Sequence, residues 1–378
     1  MSNAAHPQRT PLIRDVLIPQ QIVGDPPPWG QVQHDLQGLS MGTNWSVRFY
    51  GPHGLALAPL QQSLQALLDE VVAEMSPWAP SSALSRYNRA QAGSRHVLPA
   101  GFARVLDAAL QVAEASGGAF DPCAGQLVNR WGFGPGIDLQ TPGYRSPGFV
   151  PPDDRALVDA QGTGPTAWAG LNWQRDSLRV TQPGGLSLDL CAIAKGDAVD
   201  RLSRHLSETG HPHHLVEVGG ELRGAGLKPD GHPWWVALEP PDANLNPQTR
   251  CWADAHIALH GLAVATSGDY RRCYTDAQGR WRSHTIDPRS GQPIAHGVAS
   301  VSVLHEEALW ADAWSTALLV LGTEAGLALA SRLKLAARWL QRPEPLDGHS
   351  DWRCVESPAW LALKDDAPGH SNPRGQPA

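Results

Sequence analysis

The sequence predicts an α+β protein, because both helical and strand patterns, with a hairpin among the strands, occur along its 378 residues. Apolar residues recur at three- and four-residue spacing over about residues 58–75 and 100–115, which predicts two amphipathic helices. The segment 41–50 ends in period-two alternation, which is typical of a half-buried strand. An apolar content of 42% is enough for a substantial core in one large domain or two ordinary ones.

Charge and composition narrow the class of protein. The net charge is -7 and there is no basic run, which argues against nucleic acid as the main partner. The cysteines form an odd set without a CxxC pair, so neither a zinc knuckle nor a disulfide framework is indicated. We expect no membrane span, because no segment reaches about 18 continuous apolar residues. The N-terminus lacks a signal-peptide core, so we expect a cytoplasmic protein, or a periplasmic one if the chain has been trimmed.

The first half begins with a segment, residues 1–33, that is rich in Pro and Gln and disfavours regular structure. The 100–115 helix should stop at Gly117-Gly118. Asp121 follows in an Asp-Pro turn, where it could serve only as the N-cap of the next helical turn. A loop over about 135–165, full of Gly and Pro, then separates the two halves and could be an insertion.

The second half begins with a predicted hairpin, in which segments 177–180 and 186–190 flank Gln182-Pro183-Gly184-Gly185. A helix should open near Cys191 and reach about residue 207. A strand, a tight small-residue turn and a helix present backbone N–H groups to an anion, and Lys195 adds a full charge there. A simple strand–helix junction is the alternative.

Further strands are predicted over 214–226, 234–239, 263–268, 297–304 and 336–340. Gly219-Gly220 interrupts the first of these, where a glycine marks either a close approach by a ligand or a bulge. Two helices should cover 306–321 and 323–334, and the tail beyond about 343 should be loosely ordered.

Asp312 and Thr316 stand four residues apart on a helix that is otherwise apolar or small. Residues at i and i+4 share one helical face, so their oxygens can converge on one point. A carboxylate and a hydroxyl there would suit Mg²⁺. Alternatively, Thr316 bonds back to a carbonyl one turn earlier and Asp312 caps another element.

Taken together, the motifs resemble the ApbE family of FAD:protein FMN transferases. They occur in the order of that family from about residue 36 to about 335. The segments that carry the resemblance are MGTNWSV (41–47), MSPWAPSSALSRYN (75–88), GGAFDPCAGQLVNRWGFG (117–134), LDLCAIAKGDAVD (188–200), VEVGGELRGAG (216–226), ATSGDYRR (265–272), HTIDPRSG (284–291) and ADAWSTALLVLG (311–322).

The resemblance implies a T-fold-like arrangement of mixed sheets with flanking helices. We expect one compact catalytic domain over 34–342, with its active site between the two halves, an arm over 1–33 and a tail over 343–378. It also implies that the protein binds FAD as substrate and, with Mg²⁺, transfers its FMN part to a Ser or Thr hydroxyl of an acceptor protein, such as a membrane redox subunit, releasing AMP. The alternatives are an FAD pyrophosphatase and an FAD-binding protein with impaired catalysis.

The site residues follow from the same resemblance. The metal ligands would be Asp312, Thr316 and a backbone carbonyl of the CAIAKG turn, that of Ala192 or else that of Ala194. His284, Asp312 and Lys195 would be catalytic, with His284 as general base for the incoming hydroxyl. The residues expected to bind FAD are Met41, Tyr87, Asn88, Asp121, Trp131, Phe133, Lys195, Gly219, Gly220, Glu221, Ser267, Gly268, Asp269, His284 and Ile286.

Two of the carboxylates have open roles, because Asp269 and Asp287 could orient His284 or a ribose hydroxyl, or could serve only their own turns. The chain also departs from the family pattern. Cys123 stands in place of Thr, Cys191-Ala192 in place of Gly-Gly, Thr285 in place of an apolar residue and Glu221 in place of Asp. The added side chains at 191–192 could lower FAD affinity, since the backbone must approach the ligand closely there.

Overall fold

The computed structural model describes residues 15–19, 21–135, 143–153, 155–157, 167–241, 255–343 and 352–364. Its helices are α1 (Leu57–Met75), α2 (Ala83–Asn88), α3 (Ala100–Ala115), α4 (Gly125–Arg130), α5 (Ala194–Glu208), α6 (Ala308–Leu333) and α7 (Pro358–Leu361). Its strands are β1 (Asp15–Leu17), β2 (Gln31–Ser40), β3 (Thr43–Pro52), β4 (Arg95–Val97), β5 (Trp173–Gln174), β6 (Arg179–Thr181), β7 (His214–Val218), β8 (Glu221–Ala225), β9 (Trp234–Ala237), β10 (Ala255–Leu259), β11 (Leu262–Gly268), β12 (Cys273–Thr275), β13 (Trp281–Ser283), β14 (Ile286–Asp287), β15 (Gln292–Pro293), β16 (Val298–His305), β17 (Ala336–Gln341) and β18 (Arg353–Glu356).

An eight-stranded sheet organises the molecule, in the order β18-β17-β16-β11-β8-β7-β3-β2. Every neighbouring pair in it is antiparallel. A smaller sheet, β1-β10-β9, is mixed, because β1 runs parallel to β10 and β9 antiparallel to it. Helices pack beside the sheets, which confirms the predicted α+β class.

The β2–β3 hairpin shows why its sequence turns where it does. Ser40 pairs with Thr43, and the two residues between them, Met41 and Gly42, have φ of 54° and 72°. Positive φ at both central positions is the two-residue turn that matches the twist of a hairpin. The alternate residues Trp45, Val47 and Phe49 of β3 then enter the core.

Helix α6 is the central core helix and packs against β11 and β16. The predicted break between two helices is confirmed, because Gly322 has the non-helical angles φ 74° and ψ -172°. By length and composition α6 could cross a membrane, but most of it is buried inside the protein, as expected for the core helix of a folded domain. The Asp200 carboxylate accepts hydrogen bonds from the amides of Ala308 and Leu309 and so fixes where α6 starts.

The predicted hairpin of 177–180 and 186–190 is wrong. Strand β6 pairs instead with β4 and β5, and the 186–190 segment forms no pair with it. The backbone of the 186–190 segment pairs elsewhere, because the Gly125 amide donates to the Ser187 carbonyl and the Asp189 amide donates to the Pro122 carbonyl. The buried Gln182 side chain closes the turn between the two segments by donating to the carbonyls of Tyr87 and Leu186 and accepting from the amide of Gly184.

The predictions for the chain ends are wrong in part. In the arm, Asp15–Leu17 is a strand, and Leu17 is buried. In the tail, Arg353–Glu356 is the edge strand of the main sheet, and Trp360 is completely buried. The division into arm, domain and tail stays a prediction. Much of the predicted 135–165 loop lies outside the described residues.

Candidate functional site

The N-terminal ends of α5 and α6 meet at the centre of the candidate site. A Cβ at Gly196 would overlap the carbonyl of Ala308, so only glycine allows this approach. Gly196 lies in the first turn of α5, where an amide has no partner within its own helix. It donates to Asp312 Oδ2 at 3.0 Å. The capping role considered for Asp312 is therefore present, and it uses one of the two carboxylate oxygens.

Lys195 lies between two buried carboxylates. Its Nζ is bonded to Glu221 Oε1, and Glu221 and Asp312 are 2% and 3% exposed. Burial alone would lower the pKa of Lys195, but the charges of Glu221 and Asp312 raise it, so the ammonium stays charged. Burial raises the pKa of Asp312, and it raises the pKa of Glu221 to about 7, with Lys195 opposing both shifts.

A chain of hydroxyl groups joins α6 to the end of β11. Ser267 Oγ lies 2.8 Å from Ser315 Oγ and 2.8 Å from Thr316 Oγ1. Ser315 Oγ donates to the carbonyl of Asp312 at 2.8 Å. The back-bonding considered for Thr316 is thus made by its neighbour Ser315, while Thr316 itself bonds to Ser267.

These groups fit a hard cation. They offer a buried carboxylate at Asp312 and a half-buried hydroxyl at Thr316. In a regular helix the Gly196 amide would donate to the carbonyl of Ala192, four residues earlier. It donates to Asp312 instead, so the Ala192 carbonyl does not receive this hydrogen bond. Within the described residues no group of three or more His, Cys, Asp and Glu side chains could hold a metal. A set of carboxylate, hydroxyl and carbonyl oxygens is the kind that Mg²⁺ prefers, with water and substrate phosphates completing it.

His284 presents one nitrogen for proton transfer. Its Nδ1 lies 3.0 Å from the carbonyl oxygen of Arg272. A carbonyl only accepts, so Nδ1 carries the hydrogen and Nε2 keeps its lone pair. Burial, together with the positive charges of Arg272 and Lys195, lowers the pKa of His284 to about 4. The imidazole is therefore neutral at pH 7.

A cluster of aromatic and apolar side chains borders His284 and joins the two halves of the chain. Leu127, Trp131, Phe133 and Ile286 are buried together, and the Phe133 ring stands edge-on to His284 at 6.2 Å. The Trp131 indole donates to the carbonyl of Gly291 at 2.8 Å. Trp131 and Phe133 come from the first half and His284 and Ile286 from the second, so this cluster packs the two halves together.

Tyr87 and Asn88 both bond to the backbone of other segments. Tyr87 is completely buried, and its hydroxyl donates to the carbonyl of Thr181. The Asn88 amide donates to the Leu188 carbonyl and accepts from the Leu188 amide, both at 2.8 Å. Tyr87 therefore has a packing role, and Asn88 holds the segment that leads into the turn before Lys195.

Three predicted carboxylates have hydrogen-bond partners within the protein. Asp121 accepts from the Cys123 amide at 2.7 Å, and burial raises its pKa to about 6. Asp269 binds the guanidinium of Arg342 through two 2.6 Å hydrogen bonds. Asp287 binds Arg289, two residues on. These contacts favour the structural alternative for Asp269 and Asp287.

The glycine turns bring further predicted residues to the site. Gly219 has φ 64° and donates to the carbonyl of Asn44, next to the turn that contains Met41. A Cβ on Gly219 would contact Thr43 and Lys195, so the Gly219-Gly220 turn lies beside the lysine. Gly268 ends β11, directly after Ser267, and packs under the ring of Tyr270.

Other residues at the site were missed from the sequence. The only signal for Ser315 in the sequence is that its hydroxyl stands next to the predicted ligand Thr316. Tyr274, whose buried hydroxyl has no hydrogen-bond partner among the described residues, packs on Phe133 and comes from an unremarkable strand. Asp200, which caps α6, is the last residue of the LDLCAIAKGDAVD motif, and the sequence gives no sign of this capping role.

Fold and site together define an α+β protein with a charged, partly buried site at the N-terminal ends of two helices. The chain belongs to the ApbE family, whose model matches residues 41–339.

Comparisons with individual proteins agree with the family. The FAD:protein FMN transferase of Haemophilus influenzae is 32% identical over 319 residues, covering 82% of this chain and 86% of that protein. The Escherichia coli K12 protein of the same name is 33% identical over 326 residues, covering 86% and 88%. The apo crystal structure of the Pseudomonas stutzeri flavinyl transferase ApbE is similar with a TM-score of 0.75 and 34% identity, covering 88% of this chain and 97% of that one.

Proposed function

We propose that this chain transfers the FMN part of FAD to a Ser or Thr hydroxyl of an acceptor protein, using Mg²⁺ and releasing AMP. Relatives that share a third of its residues over most of their length carry the name FAD:protein FMN transferase. The proposal is supported by the charged Lys195 ammonium, which is bonded to the buried Glu221 and acts on the buried Asp312, one helical turn before Thr316. The same charge acts on the His284 imidazole. Such a set suits attack by a hydroxyl on a pyrophosphate.

The reaction breaks a phosphoanhydride bond of the pyrophosphate and forms a phosphoester bond. The acceptor oxygen bonds to the phosphorus of the FMN part, and the bond from that phosphorus to the bridging oxygen breaks, so that AMP leaves with this oxygen. The acceptor proton goes to Nε2 of His284, which is the nitrogen left with a lone pair. A positioned base of this kind typically contributes about 10²–10⁴-fold.

The charged groups serve the phosphates. An ammonium has three hydrogens, so Lys195 can bond to Glu221 and still donate to a phosphoryl oxygen. Asp312, Thr316 and the Ala192 carbonyl would hold Mg²⁺. When bound, Mg²⁺ neutralises negative charge on the phosphoryl oxygens and on the leaving AMP. Phe133 and Ile286 line the His284 side of the site with apolar surface, which limits competing attack by water.

The test is a product analysis. The chain would be incubated with FAD, Mg²⁺ and a substrate protein that carries a Ser/Thr acceptor motif, followed by mass spectrometry of that protein and chromatography of the nucleotides. We expect an acceptor mass gain equal to FMN together with AMP, and neither with an acceptor whose motif hydroxyl is replaced by Ala.

Other outcomes identify the alternatives. AMP and free FMN without an adduct would indicate an FAD pyrophosphatase. FAD binding without products would indicate a binding protein, and Cys191-Ala192 in place of the family's Gly-Gly would then be the first position to revert.

A further inference from the structure

The hydroxyl chain between β11 and α6 has a defined hydrogen order. Ser315 Oγ donates its single hydrogen to the Asp312 carbonyl, which can only accept. Ser315 must therefore accept from Ser267 across their 2.8 Å contact. Ser267 then has no hydrogen left for Thr316, so Thr316 Oγ1 donates to Ser267 across the other 2.8 Å contact.

This order has a consequence for Thr316. Its hydrogen is directed toward Ser267 inside the protein, and the lone pairs of Oγ1 remain for a partner on the other side. A cation needs lone pairs and is repelled by a hydroxyl hydrogen. The Asp312 carbonyl fixes the direction of all three hydrogen bonds in the chain. The Thr316 hydroxyl is therefore oriented before any ion binds.

We propose that Ser267 and Ser315 are positioning residues that orient the Thr316 hydroxyl, so that its lone pairs face the cation site formed with Asp312. This assignment rests on the proposed Mg²⁺ site and gives Ser267 a different role from the FAD contact that the family resemblance implies. Ser315 acts on Thr316 through two hydrogen bonds in series. Outer partners of metal ligands typically change metal affinity by about 10- to 100-fold when they are replaced.

The chain offers a matched control on the same strand. Thr266 Oγ1 lies 2.8 Å from Ser302 Oγ, which is also a half-buried hydroxyl pair. Neighbouring residues of a strand point to opposite faces, so this pair is on the side of β11 away from Ser267. Thr266→Val removes one hydroxyl contact of the same length without touching the Ser267 chain.

The experiment titrates Mn²⁺ into the full chain and follows the electron paramagnetic resonance signal of the free ion, with urea unfolding midpoints measured in parallel. We expect the Mn²⁺ dissociation constant of Ser267→Ala to be about tenfold larger than that of the unsubstituted chain. Ser267→Thr keeps the hydroxyl and should retain most of the affinity. Ser315→Ala should also weaken binding although Ser267 still contacts Thr316, because Ser267 can then donate and turn the Thr316 hydrogen toward the ion. Thr266→Val should bind as the unsubstituted chain does.

The outcomes separate this inference from the proposed function. If Thr316→Val and Asp312→Ala lose Mn²⁺ but Ser267→Ala and Ser315→Ala keep full affinity, the hydroxyl order is refuted and the cation site stands. If Asp312→Ala binds Mn²⁺ as well as the unsubstituted chain, or if that chain binds none, both fail. An equal loss in Thr266→Val would mean that the strand and not the hydrogen order is responsible.

Discussion

Asn88→Ala is expected to destabilise the protein through the segment that leads to Lys195. The Asn88 amide makes a two-way bond with the backbone of Leu188, a residue that is 1% exposed. Each bond is worth about 0.5–1.5 kcal/mol net, and a buried group left without a partner costs about 1–3 kcal/mol. Because water reaches Leu188 poorly, we expect a loss of about 2–4 kcal/mol in the free energy of unfolding.

Urea unfolding with linear extrapolation measures this loss. Asn172→Ala, which removes an exposed asparagine elsewhere, should stay within about 0.5 kcal/mol of the unsubstituted chain. Asn88→Asp keeps the acceptor for the Leu188 amide but sets a charge against its carbonyl, so it should be no more stable than Asn88→Ala. A change below about 0.5 kcal/mol in Asn88→Ala would refute the reasoning.

The same variant distinguishes two roles of Asn88 in FAD binding. If Asn88 only positions the segment before Lys195, FAD affinity and stability fall together in Asn88→Ala. If Asn88 contacts FAD directly, as the family resemblance implies, affinity falls while the free energy of unfolding is nearly unchanged. FAD fluorescence titration at a temperature where the variant is folded gives the comparison.

Three further predictions follow from the contacts around the site. Gly196→Ala should lower the free energy of unfolding by about 1–3 kcal/mol, since its Cβ would overlap the Ala308 carbonyl, and should weaken Mn²⁺ binding by moving α6. Asp200→Ala should cost about 2–4 kcal/mol in urea unfolding, because two amides lose their acceptor and Arg223 loses its ion-pair partner. As the pH falls from 6.5 to 4, His284→Gln should lose less free energy of unfolding than the unsubstituted chain. The pKa of His284 is lowered to about 4 in the folded state, so the unfolded state binds more protons in this window.

Each of these has its control. Gly148→Ala adds a methyl group where no atom of the described residues lies within 4 Å, so it should be neutral, and an equal loss there would contradict the overlap argument. Asp35→Ala breaks an ion pair with Arg48 in which both side chains are more than half exposed, and it should cost at most about 1 kcal/mol. If the free energy of unfolding of His284→Gln and that of the unsubstituted chain change in parallel from pH 7 to 4, the pKa of His284 is not lowered in the folded state.

The sequence predicted those parts of the fold that periodicity determines. The spacing of Leu60, Leu64 and Leu68 gave α1 within a residue or two, and Gly322 marked the break in α6. The prediction of a hairpin after residue 177 was wrong because the backbone of the 186–190 segment pairs with residues 122–125 and not with β6. Pairing with a distant segment leaves no periodic signal.

The candidate site divides in the same way. Asp312 and Thr316 could be placed on one face from helical spacing alone, and Lys195 at a helix start. Their partners could not, because Gly196 and Ser267 reach them only through the packing of α5 and β11 against α6. The family resemblance supplied the roles, and the structure supplies the hydrogen bonds that those roles would need.

The most direct test of the account is a crystal structure of the full chain with FAD and Mn²⁺, in which anomalous scattering locates the ion. We expect a single strong peak at the site, bound by Asp312, by Thr316 Oγ1 and by the carbonyl of Ala192, with His284 Nε2 turned toward the FAD phosphates. A peak that leaves Asp312 and Thr316 without contact to the ion would contradict the proposed cation site, and the mechanism built around it would fall with it.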